Sequence, residues 1–143
     1  MKLTQVSVFL ENKKGRLFEV CRVLGENGVN IRALNVADSK DFGIVHMVVS
    51  DTDKALKAFK SAGLTARQTE VVGVEVDDRP GGLAKVLKTI DDADINIEYM
   101  YGFVEKASDK ALMVFRFDNI DKAIDVLKKH GIGILKKEQI ASL

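Results

Sequence analysis

The chain carries the same segment twice. Placing Gly15 on Gly81, a step of 66 residues, brings Val6 onto Val72, Val8 onto Val74, Leu17 onto Leu83, Val20 onto Val86, Asn30 onto Asn96 and Ile31 onto Ile97. Further on, Asp53-Lys54-Ala55 falls on Asp121-Lys122-Ala123 and Gly63 on Gly131, now at a step of 68. The second copy therefore holds two extra residues, most simply in the loop around 105–110. Self-similarity on this scale constrains the fold more than any single motif, because each half must form the same supersecondary unit. The halves are expected at 1–70 and 71–143.

The elements can be read from either copy. Residues 4–10 alternate, with Val6, Val8 and Leu10 on one face, as a half-buried strand should. In 16–27, Leu17, Val20, Cys21 and Leu24 recur at helical spacing, and Leu83, Val86, Leu87 and Ile90 repeat the stripe. Gly28-Val29-Asn30-Ile31 ends that helix and opens a strand running to about Asp38. Residues 43–50 form a third strand, Asp51-Thr52-Asp53 caps a helix over 53–62, Gly63 stops it, and 64–70 is a fourth strand. The order βαββαβ, twice, makes the fold class α+β, with two ferredoxin-like units whose helices lie on one face of an antiparallel sheet. The join at 70–73 has no flexible-linker composition, so tight docking of the halves is expected.

The third strands carry apolar residues on both faces: Val45, Met47 and Val49 on one, Ile44, His46 and Val48 on the other, matched by Leu112, Val114 and Arg116. A sheet with helices on one side should be polar on the other. The expectation is a homodimer that covers the helix-free sheet face with a second chain, because a large bare apolar patch is unusual.

Charge narrows the partners. With a net charge of +1, the attraction that drives non-specific binding to nucleic acid or acidic membranes is missing. One cysteine, Cys21, excludes an intramolecular disulfide and a CxxC pair, and its place on a helix stripe suits a small buried hydrophobe. No apolar run approaches the ~20 residues of a membrane helix and no h-region opens the chain, so a cytoplasmic protein is expected. His46 is matched by Val114, and His130 falls at a helix end, so neither reads as catalytic. No paired-carboxylate, Ser/His/Asp or metal-ligand spacing calls for an enzyme or a cofactor.

Two turns are the candidate site. Asn12-Lys13-Lys14-Gly15-Arg16-Leu17 and Asp78-Arg79-Pro80-Gly81-Gly82-Leu83 both stand where a strand pattern gives way to a helix. Glycine there lets backbone approach a ligand, and the first helical amides point outward without an intrahelical partner. Such amides attract a carboxylate or phosphate; a turn that needs glycine only for its geometry is the competing reading. Neither turn ends in GK[ST], which argues against a nucleotide loop. Lys13, Lys14 and Arg16 could assist an anion or simply be solvated, and Asp78, replacing Asn12, would favour an ammonium over a carboxylate.

On Arg79-Pro80-Gly81-Gly82-Leu83 followed by Asp94-Ile95-Asn96-Ile97, and Lys14-Gly15-Arg16-Leu17 followed by Gly28-Val29-Asn30-Ile31, the whole chain resembles a tandem pair of ACT domains, small regulatory modules that bind amino acids. The resemblance implies two such units packed side by side into one eight-stranded antiparallel sheet, with a free amino acid held at their seam. Carried over by position, it implies that Asn12, Lys13, Lys14, Gly15, Arg16 and Leu17 face Asn96 and Ile97. Asp78, Arg79, Pro80, Gly81, Gly82 and Leu83 would face Asn30 and Ile31. It also implies a non-catalytic regulator acting in trans on a partner enzyme of amino-acid metabolism. Lys14 departs from the usual proline of the first turn, Asp78 from an asparagine-like residue, and Asp94 from the usual glycine. Two alternatives stand beside this: an RNA-binding sheet stacking bases on Tyr99 and Tyr101, and an acylphosphatase-type enzyme using Arg79.

Overall fold

Each alternating run forms a strand and each 3.6-residue stripe a helix. A computed structural model describes residues 1–11, 13–38, 42–104 and 109–141. The elements are β1 (Leu3–Glu11), α1 (Arg16–Glu26), β2 (Ile31–Asp38), β3 (Phe42–Val49), α2 (Thr52–Ser61), β4 (Thr65–Asp77), α3 (Gly82–Asp92), β5 (Ile97–Gly102), β6 (Lys110–Phe117), α4 (Ile120–Lys129) and α5 (Lys137–Ala141). By mutual contact the chain divides into Thr4–Thr69 and a second body of Glu70–Leu143 with Met1–Leu3.

In Thr4–Thr69, β3 pairs antiparallel with both β1 and β2. In the second body β6 pairs antiparallel with β4 and β5 in the same register. Glu11 opposite Phe42 becomes Asp77 opposite Lys110, and Val36 opposite Val45 becomes Gly102 opposite Met113. Even the irregularity after the first residue of β2, between Ile31 and Ala33, recurs in β5 between Ile97 and Tyr99. These pairs bracket the two extra residues between Gly102 and Lys110; 105–108 lie outside the described residues.

Side chains of Val6, Val8, Leu10, Val45 and Met47 meet Val20, Leu24 and Phe59 of the helices in one core, and Val72, Val74, Val76 and Phe115 meet Val86, Ile90 and Leu127 in the other. Each such fully buried side chain contributes about 1.5–3 kcal/mol by leaving water. The helix stripes are narrower than their spacing suggests. Leu17 and Leu83 are 40% and 37% exposed, and Cys21 is half-buried rather than a core residue.

Two strands differ from expectation. The fourth strand does not stop at 70 but continues as β4 through to Asp77. The last strand of the second copy is reduced to one bridge, Val74 to Ile134, so the described residues hold six strands where the resemblance implies eight. Leu135 then turns over Gly73 beside Leu3, and the Gln139 carboxamide accepts from the Lys136 amide to start α5. On this helix-free side Val71, Leu112, Val114 and Tyr101 are already buried in the single chain, as is Val48 in the first body. The same face of the first body keeps Phe9 and Phe42 at 37% and 61% exposed.

The first body fills its helix-free face differently. Gln5 and Ser7, both buried, meet His46 across the β1–β3 pair: Gln5 Nε2 donates to Ser7 Oγ at 3.1 Å and lies 3.2 Å from His46 Nδ1, and Ser7 Oγ lies 2.8 Å from the same nitrogen. Their counterparts Val71, Gly73 and Val114 are apolar or absent side chains. Two donors aimed at Nδ1 suit a neutral imidazole with its proton on Nε2. Burial accordingly lowers the His46 pKa below the ordinary 6.5.

All four long helices close on a residue in the left-handed region: Gly28, Gly63, Asp94 and Gly131 at φ 68°, 74°, 57° and 66°. The amide after each reaches back to the helix, as Val29 N to Leu24 O at 2.9 Å and Ile95 N to Ile90 O at 3.3 Å. At the third of these turns an aspartate holds a conformation that the repeat gives elsewhere to glycine. An L-residue there costs about 1–2 kcal/mol, less for aspartate. Replacing Asp94→Gly is expected to raise unfolding free energy by about 0.5–1 kcal/mol in urea titration. Gly28→Ala, with only Lys54 Nζ near the new carbon at 3.7 Å, should lower it by about 1 kcal/mol. A second expectation concerns pH. Because folding keeps His46 neutral, the native state binds fewer protons than the unfolded chain, and stability falls as pH drops below 6.5. Urea midpoints between pH 7.5 and 5.5 should show that decline, and His46→Gln should flatten it.

Candidate functional site

The two turns are built alike at the level of single hydrogen bonds. Lys13 N donates to Glu11 O at 2.8 Å and Arg16 N to Lys13 O at 3.3 Å; in the second copy Arg79 N donates to Asp77 O and Gly82 N to Arg79 O, both at 2.9 Å. Gly15 and Gly81 follow at φ 89° and 83°, in the left-handed region that favours glycine. Among the described residues no side chain caps α1 or α3. By contrast Asp51 caps α2, accepting from Lys54 N at 3.1 Å, and Asn119 caps α4, accepting from Lys122 N at 3.2 Å. Among the described residues, α1 and α3 are the two long helices without a side-chain N-cap, and their first amides, Arg16 N and Gly82 N, are used within the turn itself.

Three of the four cations of the turns, Lys13, Arg16 and Arg79, are paired. Lys13 pairs with Glu11 at 2.8 Å, and its hydrogen bond holds that carboxyl below the usual carboxylate range. Arg16 pairs with Glu19 at 3.1 Å, one turn along α1. Arg79 pairs with Asp77 at 3.3 Å, the counterpart of the Lys13 pair, and Asp77 is also held by Lys110 across the β4–β6 register. The Lys110 hydrogen bond is the main reason that the Asp77 carboxyl is depressed and the Lys110 ammonium raised. The Arg79 guanidinium of the acylphosphatase alternative is thus paired with a neighbouring carboxylate while 70% exposed. Asn12, the residue expected to hold the ligand's polar groups, lies outside the described residues.

A cavity of 430 Å³ opens at the second turn, lined by Val76, Asp77, Asp78, Arg79, Pro80, Leu83, Ala111 and Met113. Leu83, and Leu17 at the equivalent place, turn outward at the first helical turn instead of joining the core.

Asn30-Ile31 and Asn96-Ile97 stand elsewhere. Asn30 exchanges bonds with Ser50, its amide donating to Oγ and its carbonyl accepting from Ser50 N, both at 2.9 Å. Asn96 does the same with Asp118 at 3.1 Å. This locks each backbone to the end of the third strand and leaves the carboxamide exposed, with no hydrogen bond among the described residues. Asn96 and Ile97 line a cavity of 560 Å³ with Leu87, Ile90 and Ile95. Because Glu11 pairs with Phe42 at one end of β3 and Ile31 with Val49 at the other, turn and asparagine lie about 23 Å apart along the strand, at about 3.3 Å per residue. One unit does not bring its own turn and its own asparagine together.

Of the two rings in the RNA-binding alternative, Tyr101 is 6% exposed with its hydroxyl pushed far up by burial, and Tyr99 is half-buried. Among the described residues no group of His, Cys, Asp and Glu is arranged to hold a metal, and no helix is long and apolar enough to cross a membrane. What reading the sequence missed here is the pairing of the turn cations with Glu11 and Asp77. The signal was the acid two residues before each basic residue.

No curated protein matches this sequence. Among solved structures it is similar to protein BT0572 from Bacteroides thetaiotaomicron, at 42% identity and a TM-score of 0.93, over 100% of this chain and 98% of that one. The fold is also that of the regulatory subunit of aspartate kinase from Thermus thermophilus in its ligand-free form, at 16% identity and a TM-score of 0.63 over 88% and 91% of the two chains. The Thermus flavus subunit gives 18% and 0.58 over 88% and 90%. The family model of the ACT domain pair matches residues 1–143, and the chain belongs to that family.

Proposed function

We propose that the protein is a non-catalytic regulator that binds a free amino acid, using the glycine turn of one ACT unit and the Asn-Ile strand start of another as the two halves of a site. The observation that carries this is the duplicated, side-chain-uncapped helix start at Gly15 and Gly81. Open amides with the partial positive charge of a helix N-terminus suit the ligand's carboxylate. The exposed carboxamides of Asn30 and Asn96, already anchored through their backbones, can accept from its ammonium. The outward-facing Leu17 and Leu83 suit an apolar side chain.

Turn and asparagine lie at opposite ends of each unit, so a ligand touching both must join two units, within a chain or between copies. Binding would then favour one arrangement of the units over others, which is how an effector's affinity becomes a signal that a partner enzyme can read. Aspartate kinase, whose regulatory subunits from two Thermus species share this fold, is the kind of partner such a signal would suit, an enzyme of amino-acid metabolism. Asp78 at the second turn sets the two sites apart, since its carboxylate repels the group that the first turn attracts.

A thermal-shift screen of the twenty amino acids is expected to find a stabiliser. A ligand at 100 times its dissociation constant adds about 2.7 kcal/mol, a shift of several degrees. Asn30→Ala or Asn96→Ala should remove that shift and so identify the occupied turn. Absence of a shift from every amino acid at millimolar concentration would sink the proposal.

A further inference from the structure

We propose that the C-terminal half holds a second, separate site for a small zwitterionic amino acid, in a 160 Å³ cavity between the end of β4, the first turns of α3 and the Gly131–Gly133 turn. Its walls depend on two close approaches. A β-carbon on Gly82 would lie 1.9 Å from the Asp77 carbonyl oxygen, and one on Gly133 would lie 2.4 Å from the Glu75 carboxylate. Any side chain at 133 would therefore displace Glu75 from the cavity.

The charges are balanced but not all paired. Asp77 and Lys110 hold each other. Glu75 and Lys85 line the same cavity, and among the described residues neither side chain has a hydrogen bond or an ion pair. A lone anion would meet Glu75 and a lone cation Lys85; a molecule carrying both charges satisfies the two at once. The Thr89 hydroxyl donates to Lys85 O at 3.1 Å, which leaves its oxygen able to accept from an ammonium. The volume holds roughly five waters at about 30 Å³ each, the size of glycine, alanine or serine and well short of a large side chain.

Divergence between the copies converges on this spot. Glu75, Lys85, Thr89, Lys110 and Gly133 stand where the first copy has Phe9, Glu19, Val23, Phe42 and Thr65. The matching register pairs, Glu11 with Phe42 and Asp77 with Lys110, confirm the equivalence. A repeat that keeps its core apolar at Val20 and Val86 has exchanged Phe9, Val23 and Phe42 for Glu75, Thr89 and Lys110 at this edge.

Calorimetric titration of the full chain with glycine, L-alanine and L-serine tests this, with acetate and methylamine as single-charge controls. Expected are binding of at least one zwitterion, none of either control, and a loss of at least tenfold in Glu75→Gln and in Lys85→Gln. No binding by any of the three, equal binding of acetate, or binding kept in both charge variants would overturn the proposal. If either variant misfolds by circular dichroism, glycine titrated into ¹⁵N-labelled wild-type chain decides. Shifts centred on the Thr89 and Gly133 amides support the site, and shifts confined to Asn30, Asn96 and the glycine turns overturn it.

Discussion

Everything in this molecule depends on how a strand gives way to a helix over four residues. The carbonyl at the end of the strand, Glu11 or Asp77, is taken by the amide two residues on, and a glycine in the left-handed region then reverses the chain. That turn fixes the entry angle of α1 and α3, so that Val20 or Val86 falls over Val6 and Val8 or Val72 and Val74. A residue with a β-carbon would resist the turn, and a side-chain cap would close it. The constraint that builds the core is therefore the one that leaves backbone amides open at the surface.

Duplication doubles this device, and divergence then distinguishes the copies without disturbing it. The hydrogen bonds, the strand irregularities and the helix-ending turns recur at equivalent places, since each is a backbone requirement. The differences gather where backbone geometry imposes nothing. On the helix-free face the first copy carries Gln5, Ser7 and His46 and the second carries aliphatic residues with Leu135 laid over Gly73. At the edge of β4 the second copy carries charges. Asp94 is the exception: it keeps the left-handed geometry and departs from glycine, accepting strain that the turn's hydrogen bonds outweigh.

Much of the fold was legible because its causes are local. Alternation at Val6, Val8 and Leu10, helical spacing at Val20 and Leu24, and glycines at 28, 63 and 131 act within a few residues, and observed ends differ from expected ones by one or two positions for most elements. The failures share a cause as well. The extent of β4, the shortening of the last strand to Ile134 and the outward turn of Leu17 and Leu83 depend on what lies across the sheet. The candidate turns were legible as turns; that Lys13, Arg16 and Arg79 pair with neighbouring acids depends on side-chain geometry that spacing alone does not fix.

By itself the sequence determined the repeat, the order of elements and the positions where only glycine turns the chain, since these follow from side-chain periodicity and backbone sterics. Tertiary structure alone decided which apolar residues stay in water and which carboxylates and ammoniums find partners. It also decided that each unit's turn and asparagine stand at opposite ends. Those outcomes depend on distances between residues remote in the chain, and only packing sets such distances.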